Sequence, residues 1–294
     1  MPCMKDYDTL QRFLFDDTDI RGEIATLGAS YQEIIKLQDY PASVALLLGE
    51  FLVAATLISA SLKHAAMVTV QVTGDGPVTA MMAECTEGQK LRGIVRGDYS
   101  LLPADDVLSL PELIGAGTLA ITIEPDQGER YQGIVKLESE DLSGCLEHYF
   151  NQSAQLLTKI KLASCSGSAS GILIQQMPVT QDHDKALTTW QHLTTMMDTL
   201  KTAEQIDLSH NDQLYRLFHQ DNVRLFEAKK ISFFCSCSLQ RTVKALSYIG
   251  IEELLETVAE QEFVQVTCQF CAQNYQFGEA EIKAMFKPTE DIIH

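Results

Sequence analysis

Basic residues are scarce in this chain. Only 22 Lys and Arg stand against 40 Asp and Glu over 294 residues, for a formal net charge of -18. Nucleic acid and anionic membrane both repel such a surface, so neither is expected as a partner, and the charge would keep complexes with sticky partners dispersed. Enzyme signatures are missing as well. There is no GxxxxGKS or GxxxxGKT loop, no HExxH and no GxSxG, while Gly74-Asp-Gly76 and Gly115-Ala-Gly117 are isolated GxG turns of the kind hairpins make. The sequence reads as neither an enzyme nor a nucleotide binder. The first six residues, Met1-Pro-Cys-Met-Lys-Asp6, hold no apolar signal region, so the expected compartment is a reducing cytoplasm in which the eight cysteines stay as thiols. No internal repeat is present, and low complexity is confined to the short Ser164–Gly171 segment, read as a turn.

Hydrophobic residues make up 46% of the chain, ample for a packed core, and the length suggests about two domains. The run Val44–Leu62 approaches the length of a bilayer span, but Glu50 near its middle is costly in lipid, which favours a buried core helix. A sheet is expected after it. Val68, Val70 and Val72 alternate, Gly74-Asp-Gly-Pro77 turns, Val78–Cys85 returns, Leu91–Val95 makes a third run, and Leu119–Ile123 and Tyr131–Leu137 flank an Asp126-Gln-Gly128 turn. Asp141–Leu162 reads as one helix. Beyond Pro178, Lys185–Leu200 and Asn211–Phe218 carry apolar residues at helical spacing, but Thr188, Thr189, Thr194 and Thr195 lower helix propensity. Packing against a neighbour must stabilise these helices, and a C-terminal lobe is one candidate neighbour. The expected fold class is α+β: an N-terminal α/β domain with a mainly antiparallel sheet and packed helices (1–178), a helical linker (179–230) and a small C-terminal zinc-binding lobe (231–294).

The lobe is inferred from Cys235, Cys237, Cys268 and Cys271. CxC and CxxC pairs each bite a metal from a single turn, and the two together supply the four thiolates of a tetrahedral zinc site. Between them Val243, Leu246 and Ile249 recur at helical spacing, Gly250 stops the run, and Leu254, Leu255 and Val258 resume it. Phe263–Thr267 and Tyr275–Phe277 alternate around CxxC, which places it at the bend of a hairpin.

A permanent structural zinc is the plain reading. A nucleic-acid-binding finger is disfavoured, since Ile231–His294 holds four basic residues (Arg241, Lys244, Lys283, Lys287) against nine acidic ones. A thiol oxidoreductase centred on Cys268 and Cys271 lacks the strand-then-helix setting that activates the first thiol. The remaining reading is a redox switch. Structural zinc supplies on the order of 10–16 kcal/mol of apparent folding free energy in small peptides. Disulfides between near neighbours, Cys235 with Cys237 and Cys268 with Cys271, would supply only roughly 1.5–2 kcal/mol each by loop closure. Neither would join the two arms, so oxidation to such bridges would unfold the lobe. Cys3, Cys85, Cys145 and Cys165 lack metal spacing and read as small buried hydrophobes, and His219 as a helix-surface histidine.

The chain resembles the heat-shock protein 33 family of redox-regulated bacterial chaperones, the 33 kDa chaperonins. The resemblance runs over essentially its whole length. It rests on Arg21-Gly-Glu23, Leu48-Gly-Glu50, Gly74-Asp-Gly-Pro77, Glu84-Cys85, Arg92-Gly93, Gly117-Thr-Leu-Ala120, Tyr131-Gln-Gly133, Tyr149-Phe-Asn-Gln-Ser153, Leu217-Phe-His219, Val223-Arg-Leu-Phe226, Cys235-Ser-Cys-Ser238 and Cys268-Gln-Phe-Cys271. It departs at His64-Ala-Ala-Met67 and at Ser170-Gly171, both read as turn positions. The resemblance implies a metastable helical linker under a zinc lobe and an ATP-independent holdase for unfolding clients under oxidative and heat stress. It further implies activation when Cys235, Cys237, Cys268 and Cys271 form paired disulfides, release of one zinc ion, and dimerisation on activation. The alternatives are constitutive zinc-stabilised binding without a switch and a thiol-disulfide oxidoreductase acting through Cys268 and Cys271.

Overall fold

The computed structural model describes residues 7–16, 18–100, 102–103, 106–178 and 183–286. The chain divides into two compact units with the boundary between Phe234 and Cys235. Cys3, the first six residues, Lys287, Glu290 and Asp291 lie outside the described residues.

The first unit begins with strands β1 (Thr9–Phe15) and β2 (Ile20–Leu27), a short helix α1 (Ala29–Ile35) and the long helix α2 (Ala42–Ser61). Strands β3 (Ala66–Gly74), β4 (Val78–Cys85) and β5 (Lys90–Gly97) follow, then α3 (Leu110–Ile114), β6 (Gly117–Pro125), β7 (Tyr131–Lys136) and α4 (Leu142–Tyr149). Next come β8 (Thr158–Ser164) and β9 (Ala169–Gln176), and three helices, α5 (His183–Asp198), α6 (Thr202–Asp207) and α7 (His210–Phe218). Three short strands close the unit: β10 (Val223–Leu225), β11 (Lys229–Lys230) and β12 (Ser232–Phe233).

These strands form two sheets where the sequence suggested one. The first runs β10-β1-β2-β9-β8, with β11 also on β1; the second runs β12-β5-β4-β3-β6-β7. All pairings in both are antiparallel except β12 with β5.

Helix α2 explains the stack. It is apolar on all sides, the composition of a helix buried all round rather than along one stripe. One core cluster joins its Leu48, Leu52, Val53 and Leu57 to Ala25, Leu27 and Leu173 of the first sheet and to Val68, Val70 and Leu119 of the second. Among the described residues it is the one helix long and apolar enough to cross a membrane by length and composition, and 78% of that window is buried. Burial also pushes the Glu50 carboxyl up to about 7.

The first sheet is covered on its other face too. Ile172 and Ile174 of β9 alternate with Leu173, and join Phe13, Phe15, Ile20 and Ile24 in a second cluster with Leu193, Met197, Leu200, Leu214, Leu217 and Phe218 of the α5–α7 segment. The neighbour on which these threonine-weakened helices lean is therefore this sheet. Thr188, Thr194 and Thr195 each turn their hydroxyls back onto carbonyls of their own helix, Asp184, Trp190 and Gln191. That satisfies them without aiding the packing.

Asp141–Leu162 is not one helix. It ends in a π-turn at Phe150–Ala154, where Gln155 adopts a left-handed conformation with φ 54°, and Thr158–Ser164 becomes β8. The buried positions Thr158 and Ile160 alternate with Lys159, a strand period that the preceding apolar helix residues masked. Ser164–Gly171 is only partly a turn: Ala169, Ser170 and Gly171 are buried in β9. A Cβ on Gly171 would lie 2.4 Å from Val53 Cγ1, so α2 packs closest where that strand has no side chain. Cys85 and Cys145 are buried as expected, whereas Cys165 is half-buried.

The second unit contains α8 (Leu239–Leu246), α9 (Ile251–Gln261), the hairpin β13 (Val264–Thr267) and β14 (Asn274–Phe277), and α10 (Glu279–Met285). Gly250 separates the first two helices with φ 98°, a conformation that L side chains rarely adopt. Its fully buried apolar core is small: Leu246, Leu254, Val264, Phe277 and Ile282.

Candidate metal centre

Two segments of the second unit bring the four thiols together. Cys235 and Cys237 sit on the approach to α8, whose N-cap Ser238 accepts a hydrogen bond from the Arg241 amide at 3.3 Å. Arg241 in turn donates to the Ser236 carbonyl at 2.9 Å and to its hydroxyl at 2.7 Å, which pins the CxC loop against the first turn of the helix. Cys268 and Cys271 occupy the bend between β13 and β14. There the Cys268 amide donates to Gln273 O at 2.9 Å, and the Ala272 amide donates to Cys268 O at 2.8 Å with Ala272 in a left-handed conformation. CxxC at a hairpin bend is the arrangement the alternation around it implied.

The sulfur atoms of Cys235, Cys237, Cys268 and Cys271 all lie within 4.8 Å of one another. Cys235 Sγ is 3.7 Å from Cys268 Sγ and Cys237 Sγ is 3.3 Å from Cys271 Sγ, so each CxC sulfur faces one from CxxC. Four thiolates at metal bond lengths of 2.3 Å in a tetrahedron stand about 3.8 Å apart. The donor set and its spacing thus fit one soft metal ion.

Residues around the cluster tune it. The Tyr275 hydroxyl donates to Cys237 Sγ at 3.3 Å. That bond holds the Cys237 thiol down at about 7 and pushes the tyrosine up to about 12. Partial burial pushes the Cys235 and Cys271 thiols upward. A bound cation would reverse that tendency, since a coordinating thiol is deprotonated outright. Tyr275 was visible in the sequence only as a strand residue; its role depends on the hairpin register opposite Val266, which no spacing rule supplies. His219 caps the end of α7 as an exposed residue with its ring 5.7 Å from that of Tyr215.

Fold and site together define an α+β protein in two units, the smaller one built around a four-thiol centre. The sequence profile described as "Hsp33 protein" matches residues 8–278. The 33 kDa chaperonin of Pseudomonas fluorescens (strain Pf0-1) is 41% identical over 284 residues, covering 96% of this chain and 94% of the relative. That of Aeromonas salmonicida (strain A449) is 42% identical over 293 residues, covering 98% of each. The crystal structure of a 33 kDa chaperonin from Thermotoga maritima superposes with a TM-score of 0.82 over 95% of this chain and 97% of its own, at 21% identity, a likeness of fold. The chain belongs to the Hsp33 family of chaperones.

Proposed function

We propose that this chain is a redox-regulated, ATP-independent holdase of the cytoplasm, which binds unfolding proteins and prevents their aggregation under oxidative and heat stress. The observation that carries the reading is the convergence of Cys235, Cys237, Cys268 and Cys271 from two separate segments onto one centre. In the resting state the four thiolates hold one zinc ion, which cross-links those segments and keeps a lobe with few buried side chains folded. On oxidation Cys235 bonds to Cys237 and Cys268 to Cys271. Two peroxide molecules take the two electron pairs and leave as water, and the sulfurs, no longer thiolates, cease to ligate. Bridges within each pair do not join the segments, so the lobe at 231–294 loses order. The linker at 179–230 then comes off the core domain at 1–178 and uncovers apolar surface for clients, with dimerisation of the active form.

The apolar underside of that linker supports the last step. Phe13, Phe15, Ile24 and Ile174 are at most 3% exposed beneath α5–α7 and would be bared together. Contiguous exposed apolar patches of that kind mark binding surfaces. Zinc release, far-UV circular dichroism and suppression of aggregation, followed in parallel during peroxide treatment at elevated temperature, test the reading. All three should change together. Suppression by the reduced, zinc-loaded protein equal to that of the oxidised one would select constitutive binding instead, and turnover of a small disulfide would select an oxidoreductase.

A further inference from the structure

Strand β1 has two unequal edges. Along one it pairs with β2 from Thr9 to Leu14; along the other, among the described residues, it meets β10, three residues opposite Phe13–Phe15, and β11, two residues opposite Thr9 and Leu10. The flanking bonds follow the same line: Asp16 N donates to Asn222 O at 2.9 Å, Phe226 N to Arg12 O at 2.9 Å and Ile231 N to Asp8 O at 2.8 Å. Strands in globular proteins average about five or six residues, so this strap is a broken strand. Its sequence is client-like. Val223 and Leu225 alternate with Arg224 and turn onto the cluster beneath α5–α7, opposite Phe15 and Phe13.

Between the two pieces of strap the opposite face of β1 and β2 opens into a cleft of about 480 Å³, bounded by Leu10, Leu14, Arg21, Glu23, Phe226 and Lys229. Among the described residues, Arg21 Nε and Glu23 Oε2 beside it are buried with no hydrogen-bond partner. They stand at alternate positions of one strand and so share a face, one a donor and the other an acceptor.

We propose that this edge of β1, with the cleft beside it, is the seat for an extended apolar client segment, which adds as an antiparallel strand where β10 and β11 lie in the resting fold. The inference rests on the holdase reading and gives it a surface. Main-chain bonds to β1 would tolerate any sequence, while side chains at alternate positions would replace Val223 and Leu225 over Phe15 and Phe13. The strap is then a built-in competitor. Residues 231–234 separate β11 from Cys235, and Ser232 and Phe233 pair with β5, so release of the strap requires loss of order at the thiol centre to spread back through β12.

The test uses the full chain and reduced, carboxymethylated α-lactalbumin as the unfolded client. Leu14→benzoylphenylalanine places a photoreactive group in the cleft, and Ile134→benzoylphenylalanine places one on β7, where that residue is exposed on the other sheet. Client should cross-link from position 14 in the oxidised protein only, and not from position 134. In the unsubstituted protein the Leu14 and Asp16 amides should exchange roughly tenfold or more faster after oxidation, and slow again when client binds. Cross-linking from position 134 as strong as from 14 would overturn the inference, as would unprotected Leu14 and Asp16 amides in a complex that still suppresses aggregation. If oxidised, unsubstituted protein suppresses nothing, the holdase reading fails and this seat fails with it.

Discussion

His210 Nδ1 lies 2.9 Å from Gln11 Oε1, so the first residue of α7 is tied to the middle of β1 across 199 positions of sequence. The Gln11 amide is oriented by its Nε2 donating to Phe226 O at 3.1 Å, which leaves its oxygen for the imidazole. On the other side of the ring Nε2 meets the Thr26 hydroxyl at 3.0 Å, itself 3.1 Å from Ser170 Oγ. His210 is fully buried, so these bonds join the helical segment to β1, β2 and β9 where unmade bonds are expensive.

His210→Ala should therefore loosen α7 before anything else. The half-buried Gln11 amide and the buried Thr26 hydroxyl each lose one bond and a cavity opens, for a cost on the order of 3 kcal/mol. Hydrogen exchange over α7 in the reduced protein should accelerate while β3–β6 exchange is unchanged. On the holdase reading the variant is also active at a lower temperature.

Glu23 makes stability fall as pH rises. Burial, opposed by Arg21 and Arg12, pushes its carboxyl up from 4.5 to about 7. Between those values the folded chain keeps a proton that the unfolded chain has released. Stability declines from about pH 4.5 to about pH 7 and is level above, by an amount on the order of 3 kcal/mol. Glu23→Gln should reduce the dependence of Tm on pH between 5 and 7, with Glu50, raised over the same interval by burial, leaving a slope of the same sign.

Tyr275→Phe removes the hydroxyl that donates to Cys237 and leaves the ring in the lobe core. Outer-shell partners of this kind are worth roughly 10–100-fold in metal affinity. Competition with a chromogenic chelator should show zinc held about tenfold more weakly, at unchanged stoichiometry.

Gly171→Ala should overpack the centre of the first unit. The added methyl would meet Val53 at 2.4 Å and both Leu57 and Leu162 at 2.9 Å. Strain of this kind costs typically about 1–3 kcal/mol, read as a lower midpoint in urea at an unchanged slope.

Much of the molecule was legible because the responsible signals are local. The thiol pairs, the stop at Gly250, the apolar run of α2 and the alternation of β3–β6 each declare themselves within a dozen residues. The failures have a common cause. Strands β1 and β2 carry charged residues in a buried setting, with Glu23 only 1% exposed, and a rule that expects polar residues outside passes over them. β8 was absorbed into the preceding helix because Leu142–Phe150 is strongly apolar and the π-turn that ends it has no sequence signature. Nothing local marks His210, whose partners at positions 11, 26 and 170 come together only when the sheet forms. The four cysteines that converge could be named from spacing alone, but Tyr275 and Arg241, which hydrogen-bond beside them, could not.

The account depends most on a bound cation, and not side-chain burial, keeping the lobe folded. Residue-resolved hydrogen exchange across α8, α9, β13 and β14 of the full chain, in the reduced zinc-loaded state and after peroxide with the metal removed, measures this directly. Protection should collapse to near that of an unfolded chain throughout those elements, while α2 and β3–β6 keep theirs. Undiminished protection of α9 and the hairpin in the oxidised, metal-free protein would contradict the account.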